Sequence, residues 1–300
     1  MQLPTTHQHT HLAAVVDLDD QTEISIASDP VIEQARRIVR RTRSALTLLC
    51  FQSPPSLLSN LQSLVSGTDL DKGQLSTRHA LFALARQIEK EEGVSVRCEG
   101  LQVPYDPAVL ADWLRGTPAD LLLLPKPDQQ NVAVTALNGL SQLIRQTGVP
   151  VWFVEQGSRP QHGVVAAVSD GAEEASGELR ALDYEVVDAA RGIGSLFSSQ
   201  LHLVQAADEP APFLGTLASA DLAVIDVPPA RMGADAAGGR RERLADRERS
   251  LESFARATGV ADEVGEIVIQ EGDVPSVVSH SAEALQAGLI VMGASDKSRW

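Results

Sequence analysis

The sequence predicts an α/β chain made of two tandem copies of one parallel-sheet domain. Short apolar runs alternate with longer helix-period stretches, which is the signature of βα units. The second half repeats the order of the first. At 300 residues the chain has room for two ordinary domains of roughly 150 residues each.

In the first half, strands are expected at Leu12–Asp17, Leu46–Phe51, Val94–Glu99, Ala119–Leu124 and Val151–Glu155. Between them, helices are expected at Asp29–Arg43, Leu70–Glu92, Pro107–Arg115 and Val132–Thr147. Asp29 before Pro30, and Asp106 before Pro107, each pair an N-capping carboxylate with the residue that suits the first helical position. Gly93 and Gly148 stand where helix C-termini favour glycine. The stretch from Ser53-Pro54-Pro55 to Gly67 has no period and reads as a connecting segment.

The repeat is explicit. Val164–Ser169 answers Leu12–Asp17 at an offset of 152, and Leu201–Val204 answers Leu46–Leu49 at 155. The nineteen residues from Asp106 align without gaps on those from Val274, at 168. The growing offset puts about a dozen extra residues between the second and third strands of the second copy. The low-complexity run Gly233–Gly239 is their expected place, as a mobile loop. The domains are expected at residues 1–156 and 163–300, joined by the linker Gln156–His162. The last helix and strand of the first copy would recur past Trp300, so the second copy is expected without them, by truncation or with something else over that apolar face.

Composition narrows the function. With 25 Lys and Arg against 40 Asp and Glu, the net charge of −15 argues against a nucleic-acid binder, which needs clustered cations. Aromatics are 4% of a 43% hydrophobic chain, so the cores are aliphatic. Two cysteines make no disulfide framework. The start lacks a cationic segment followed by an apolar run, and the longest apolar stretches are strand-sized. A soluble, cytoplasmic chain with no membrane partner is expected.

The Val15–Asp17 strand end, the run Ala119–Leu124 with its Lys-Pro-Asp-Gln-Gln turn, and Pro150–Val154 resemble the universal stress protein family in its tandem, E-type form. Leu201–Gln205, Glu271–Pro275 and Gly288–Gly293 extend the resemblance through the second copy. It implies the adenine nucleotide alpha hydrolase-like fold, with strand order 3-2-1-4-5, domains paired through the last strand, a role in stress resistance and, in some members, ATP binding. In those members a Gly-x-x-Gly turn after strand four, then a glycine and a hydroxyl residue, wraps the phosphates. Here Gly293 keeps the first glycine, Asp296 takes the second, and the later positions fall past Trp300. In the first copy Pro125 and Asp128 replace both glycines, and proline offers no N–H. The candidate ligand cleft implied by the resemblance comprises Asp17, Ser169, Asp170, Val204, Met292, Gly293, Ala294, Lys297 and Ser298.

Other constellations carry less. His7, His9 and His11 would share one side of an extended terminus, but nothing fixes a metal geometry there. Cys50 and Cys98 fall on neighbouring strands and read first as buried structural thiols, second as a redox pair. Arg36, Arg37, Arg40, Arg41 and Arg43 read as a solvated helix face, and Arg240–Arg256 as a salt-bridged one. Gly192-x-Gly194 lacks the third glycine of a dinucleotide fingerprint. No Gly-x-Ser-x-Gly, Walker or His-Glu-x-x-His motif occurs, and no catalytic residue is proposed. The expectation is a non-enzymatic stress-response protein that binds a small ligand or a protein partner and forms a homodimer or a pseudo-dimer of its two domains. The alternatives are a weakly hydrolysing ATP switch in the second domain, its motif broken at Asp296 and Pro125, and a dimerisation scaffold using Val151–Glu155.

Overall fold

A computed structural model describes residues 11–17, 28–51, 70–127, 134–157, 160–169, 177–207 and 229–294. The chain divides into two units, Met1–Ser158 and Arg159–Trp300.

In the first unit β1 (His11–Asp17), β2 (Ala45–Phe51), β3 (Val96–Leu101), β4 (Leu121–Pro125) and β5 (Val151–Val154) form a parallel sheet of order β3-β2-β1-β4-β5. The expected strand order is therefore present. Helices α1 (Pro30–Thr42), α2 (Leu70–Glu92), α3 (Pro107–Gly116) and α4 (Val134–Thr147) connect the strands. Asp29 caps α1 by accepting from the N–H groups of Val31 and Ile32 at 2.8 and 3.1 Å. Asp106 accepts from Ala108 N–H at 2.8 Å and caps α3. Gly93 and Gly148 end α2 and α4 with φ of 65° and 62°, a conformation that Cβ disfavours.

Both faces of this sheet are buried. Leu12, Ala14 and Val16 alternate with Ala13 and Val15, and all five are at most 1% exposed. On one face Ala13, Val15, Leu49, Leu122 and Leu124 pack under α3 and α4 through Leu110, Leu114, Leu140 and Leu143. Three arginines of α1, expected as a solvated face, are engaged with acids. Arg36 and Arg40 both hold Glu92 at the end of α2, Arg36 also meets Glu91, and Arg37 pairs with Glu33.

In the second unit β6 (Val164–Val168), β7 (Leu201–Ala207), β8 (Val264–Glu271) and β9 (Leu289–Met292) pair in parallel in the order β8-β7-β6-β9. The helices are α5 (Gly177–Phe197), α6 (Pro229–Thr258) and α7 (Val274–Ala284). The sequence offsets reappear as sheet register. Leu12 faces Leu46 and Leu121, and Val164 faces Leu201 and Leu289. Leu46 faces Val96, and Leu201 faces Val264, before a bulge shifts β8 by one residue.

One expectation fails here. Gly233–Gly239 is not a loop but part of α6. Each glycine costs a helix about 1 kcal/mol, but alanine is the strongest helix former, and Ala234, Ala236 and Ala237 share this run. The remainder of α6 is anchored by Leu251 and Ala255 in the core and by the pairs Arg249–Asp246 and Arg256–Glu252. That salt-bridged surface is as expected.

The two faces of the second sheet are unequal. Val164, Ala166, Val168, Leu201 and Leu203 pack under α5 and α6. On the other face Val165, Ala167 and Val204 meet Val277, Val278 and Ala282 of α7. Ile290 and Met292 of β9 are 38% and 46% exposed, whereas their repeat partners Leu122 and Leu124 are 0% and 1% exposed.

Candidate functional site

A cavity of about 270 Å³ opens in the second unit between α5, α6 and the carboxyl ends of β6 and β7. Val168, Ser169, Asp183, Tyr184, Gln205 and Phe254 form its walls, and Ser250 and Ser253 of α6 add hydroxyls. Open α/β sheets bind ligands outside the carboxyl ends of their strands, and this cavity has that position.

Its geometry follows from two polar residues on apolar surfaces. Gln205 occupies the fifth position of β7, where the first repeat has Cys50, and is 4% exposed. Asp183 lies on α5 one turn before Val186 and Val187, so it belongs to the stripe that faces the sheet, and it is 8% exposed. Ser169, just past β6, ties the two together. Its N–H donates to Asp183 Oδ1 at 2.9 Å, and its hydroxyl donates to Oδ2 at 2.6 Å. Its carbonyl accepts from Gln205 Nε2 at 2.8 Å. Gln205 Oε1 is buried without a hydrogen-bond partner. Tyr184 and Phe254 meet edge to face, with ring centroids 5.1 Å apart. The site is therefore rich in acceptors, with an aromatic side.

The structure redistributes the sequence-derived candidates. Ser169 lines the cavity, but Asp183 engages its hydroxyl. Val204 is fully buried in the core under α7, on the opposite sheet face, so its side chain does not reach the cavity. Met292 and Ala294 are exposed. At Gly293 an added Cβ would fall 2.6 Å from Leu182 Cγ and Cδ2. The missing side chain there admits α5, and Leu182 fills the space above it. Asp17 closes β1. Asp170, Lys297 and Ser298, like Asp128 and Asp296, lie outside the described residues. Pro125 continues β4 beside Val154, and Lys126 binds Glu155 at 2.7 Å, so in the first unit strand pairing runs on to the start of the Lys-Pro-Asp-Gln-Gln turn.

Sequence reasoning missed Asp183, Tyr184, Gln205 and Phe254. Two signals were available: a glutamine in a mostly apolar strand, and an aspartate on the apolar stripe of a helix. The neighbouring cysteines also resolve. Cys98 faces Leu48, and Cys50 faces Gly100, which leaves the two thiols diagonal. Strand spacing and rise put such Cα atoms about 8 Å apart, beyond the usual disulfide span. Burial raises the Cys50 thiol to about 12 and the Cys98 thiol to about 11, so both stay protonated and inert. His11 spends both ring nitrogens on Pro118 O and Thr47 Oγ1, at 2.8 and 2.9 Å, while His7 and His9 lie outside the described residues. Among the described residues no three His, Cys, Asp or Glu side chains gather as a metal site, and no helix is long and apolar enough to cross a membrane.

No protein-family model and no curated protein matches the sequence. Solved structures do match. A protein described as a universal stress protein from Pseudomonas aeruginosa UCBPP-PA14 superposes with a TM-score of 0.61 at 18% identity, over 95% of this chain and 82% of its own. A functionally unknown protein from Pseudomonas aeruginosa PAO1 gives 0.60 at 18%, over 95% and 81%. A universal stress protein from Archaeoglobus fulgidus gives 0.56 at 11%, over 97% and 90%. Likeness over nearly the full length, together with two parallel sheets of one strand order, gives the conclusion that this chain has the tandem universal stress protein fold.

Proposed function

We propose that the chain is a non-enzymatic, cytoplasmic stress-response protein of the universal stress type, and that the cavity between α5 and α6 receives its small ligand. The observation that carries this is the pair of buried polar groups, Asp183 and Gln205, on surfaces that packing alone would make apolar. A buried carboxylate and an unpaired buried amide oxygen both cost stability, and groups kept at a cost are characteristic of binding sites. Domain pairing through the edge strand β5 belongs to the same reading, as does a second unit that does not depend on ATP. Leu182 above Gly293 leaves no open cradle at that glycine, and Asp183 opposes a phosphate.

Saturation-transfer NMR with a fragment library tests the site. Some fragments are expected to bind the unaltered chain and to be lost in Ser253→Trp, which fills the mouth. A library that shows no such fragment would sink the reading, and adenine signals from added ATP would favour the nucleotide switch instead. Light scattering is expected to give a dimer that Val151→Glu splits. An unchanged mass would count against pairing through β5.

A further inference from the structure

We propose that this cavity selects a small organic cation, an ammonium group on an apolar body, with Asp183 and Gln205 Oε1 as its anchors. The inference rests on the reading of the cavity as the ligand site and adds the chemical class.

Asp183 receives two hydrogen bonds, both from Ser169, and no described cation pairs with it. A carboxylate has about four acceptor positions, so roughly half of its capacity is unspent. Gln205 gives one of its two amide N–H groups to Ser169, and its Oε1 has no partner. The Asp183 carboxylate and Gln205 Oε1 both call for a donor. An ammonium group supplies up to three N–H donors and the missing positive charge, whereas a neutral hydroxyl supplies one donor and no charge. The Tyr184–Phe254 pair offers a surface that attracts cations through its ring faces and apolar groups by burial. An anion would meet the negative charge of Asp183, and the residues that line the cavity include no Lys or Arg. A hard metal ion wants six or more oxygen ligands, usually several of them carboxylates, and this cavity has one carboxylate. An organic cation fits best.

The test is a charge series on the unaltered chain: benzylamine, benzyl alcohol and benzoate, titrated by ligand-observed NMR. Benzylammonium is expected to bind about tenfold tighter than benzyl alcohol, the worth of one charge-assisted contact, and benzoate not at all. Asp183→Asn is expected to erase that preference, and Ser253→Trp to remove binding of both amine and alcohol. Equal affinity for amine and alcohol, or a preference that survives Asp183→Asn, overturns the cation assignment while leaving the cavity as a site. Silence from all three probes overturns both readings. Asp183 also holds Ser169, so its variant has a folding risk. The charge series needs no variant, and Ser253 is exposed.

Discussion

Glu92 shows at residue scale how this chain uses its acids. Its side chain is 4% exposed, yet it is ionised, because Arg40 donates to it at 2.7 Å and Arg36 at 3.1 Å. Those hydrogen bonds, with Arg40 first, hold the carboxyl near about 2 against its ordinary 4.5. A carboxyl lowered by folding stabilises the fold above its ordinary value and loses that contribution as pH falls from about 4.5 towards about 2. His202 acts in the same direction at higher pH. Burial keeps it neutral, so the unfolded chain takes up a proton first as pH drops below about 6.5. Melting temperature is therefore expected to fall in two acid steps. Glu92→Gln should cost roughly 1–3 kcal/mol at neutral pH and shrink the lower step, to which Asp273 also contributes, leaving the upper one. A melting profile indifferent to that substitution would contradict the account. Asp183 is the counter-example at this scale, since it is buried with serine donors and no described arginine. That difference separates a structural acid from a candidate ligand acid.

At the scale of elements, the repeat supplies its own control. Leu122 in β4 and Ile290 in β9 occupy equivalent positions, but the first is fully buried in the core under α3 and α4, whereas the second is 38% exposed. Leu122→Ala is expected to cost roughly 2–5 kcal/mol, as a cavity in a closed core. Ile290→Ala should cost well under half as much, because part of the side chain already meets water. Denaturant unfolding of the two variants measures both, and equal losses would show that the faces are equally closed. The same scale explains which elements were legible. The Asp-Pro caps and the C-terminal glycines act through bonds a few residues apart, so α1, α3 and the ends of α2 and α4 could be read directly. The glycine run in α6 misled because its outcome depends on alanine content and on anchoring more than ten residues away at Leu251 and Ala255.

For the whole molecule, the offsets of 152, 155 and 168 specified strand pairing as well as repetition, since each survives as sheet register. The cavity was not legible in the same way. Ser169, Asp183 and Gln205 are brought together by tertiary packing across 36 residues of chain, and no spacing rule names such a triplet. The division at Ser158 also has a testable meaning. Residues 1–158 expressed alone are expected to melt cooperatively by circular dichroism, because that stretch contains all five strands of its sheet. Ending the chain at Pro118 should abolish the transition. A cooperative melt without β4 and β5 would overturn this description of the first unit.

The order of the strands has a consequence during synthesis. β1 precedes the other described strands of its sheet and is its central strand, bonded on one side to β2 and on the other to β4. Leu12 pairs with Leu121 of its second neighbour, 109 residues later, a wait of roughly 5–20 seconds at ordinary translation rates. β6 repeats the situation, waiting for β9. For that interval the central strand of each unit, buried in the finished fold, has an open flank outside the ribosome, which makes the nascent chain a natural client for chaperones before it can bind anything of its own.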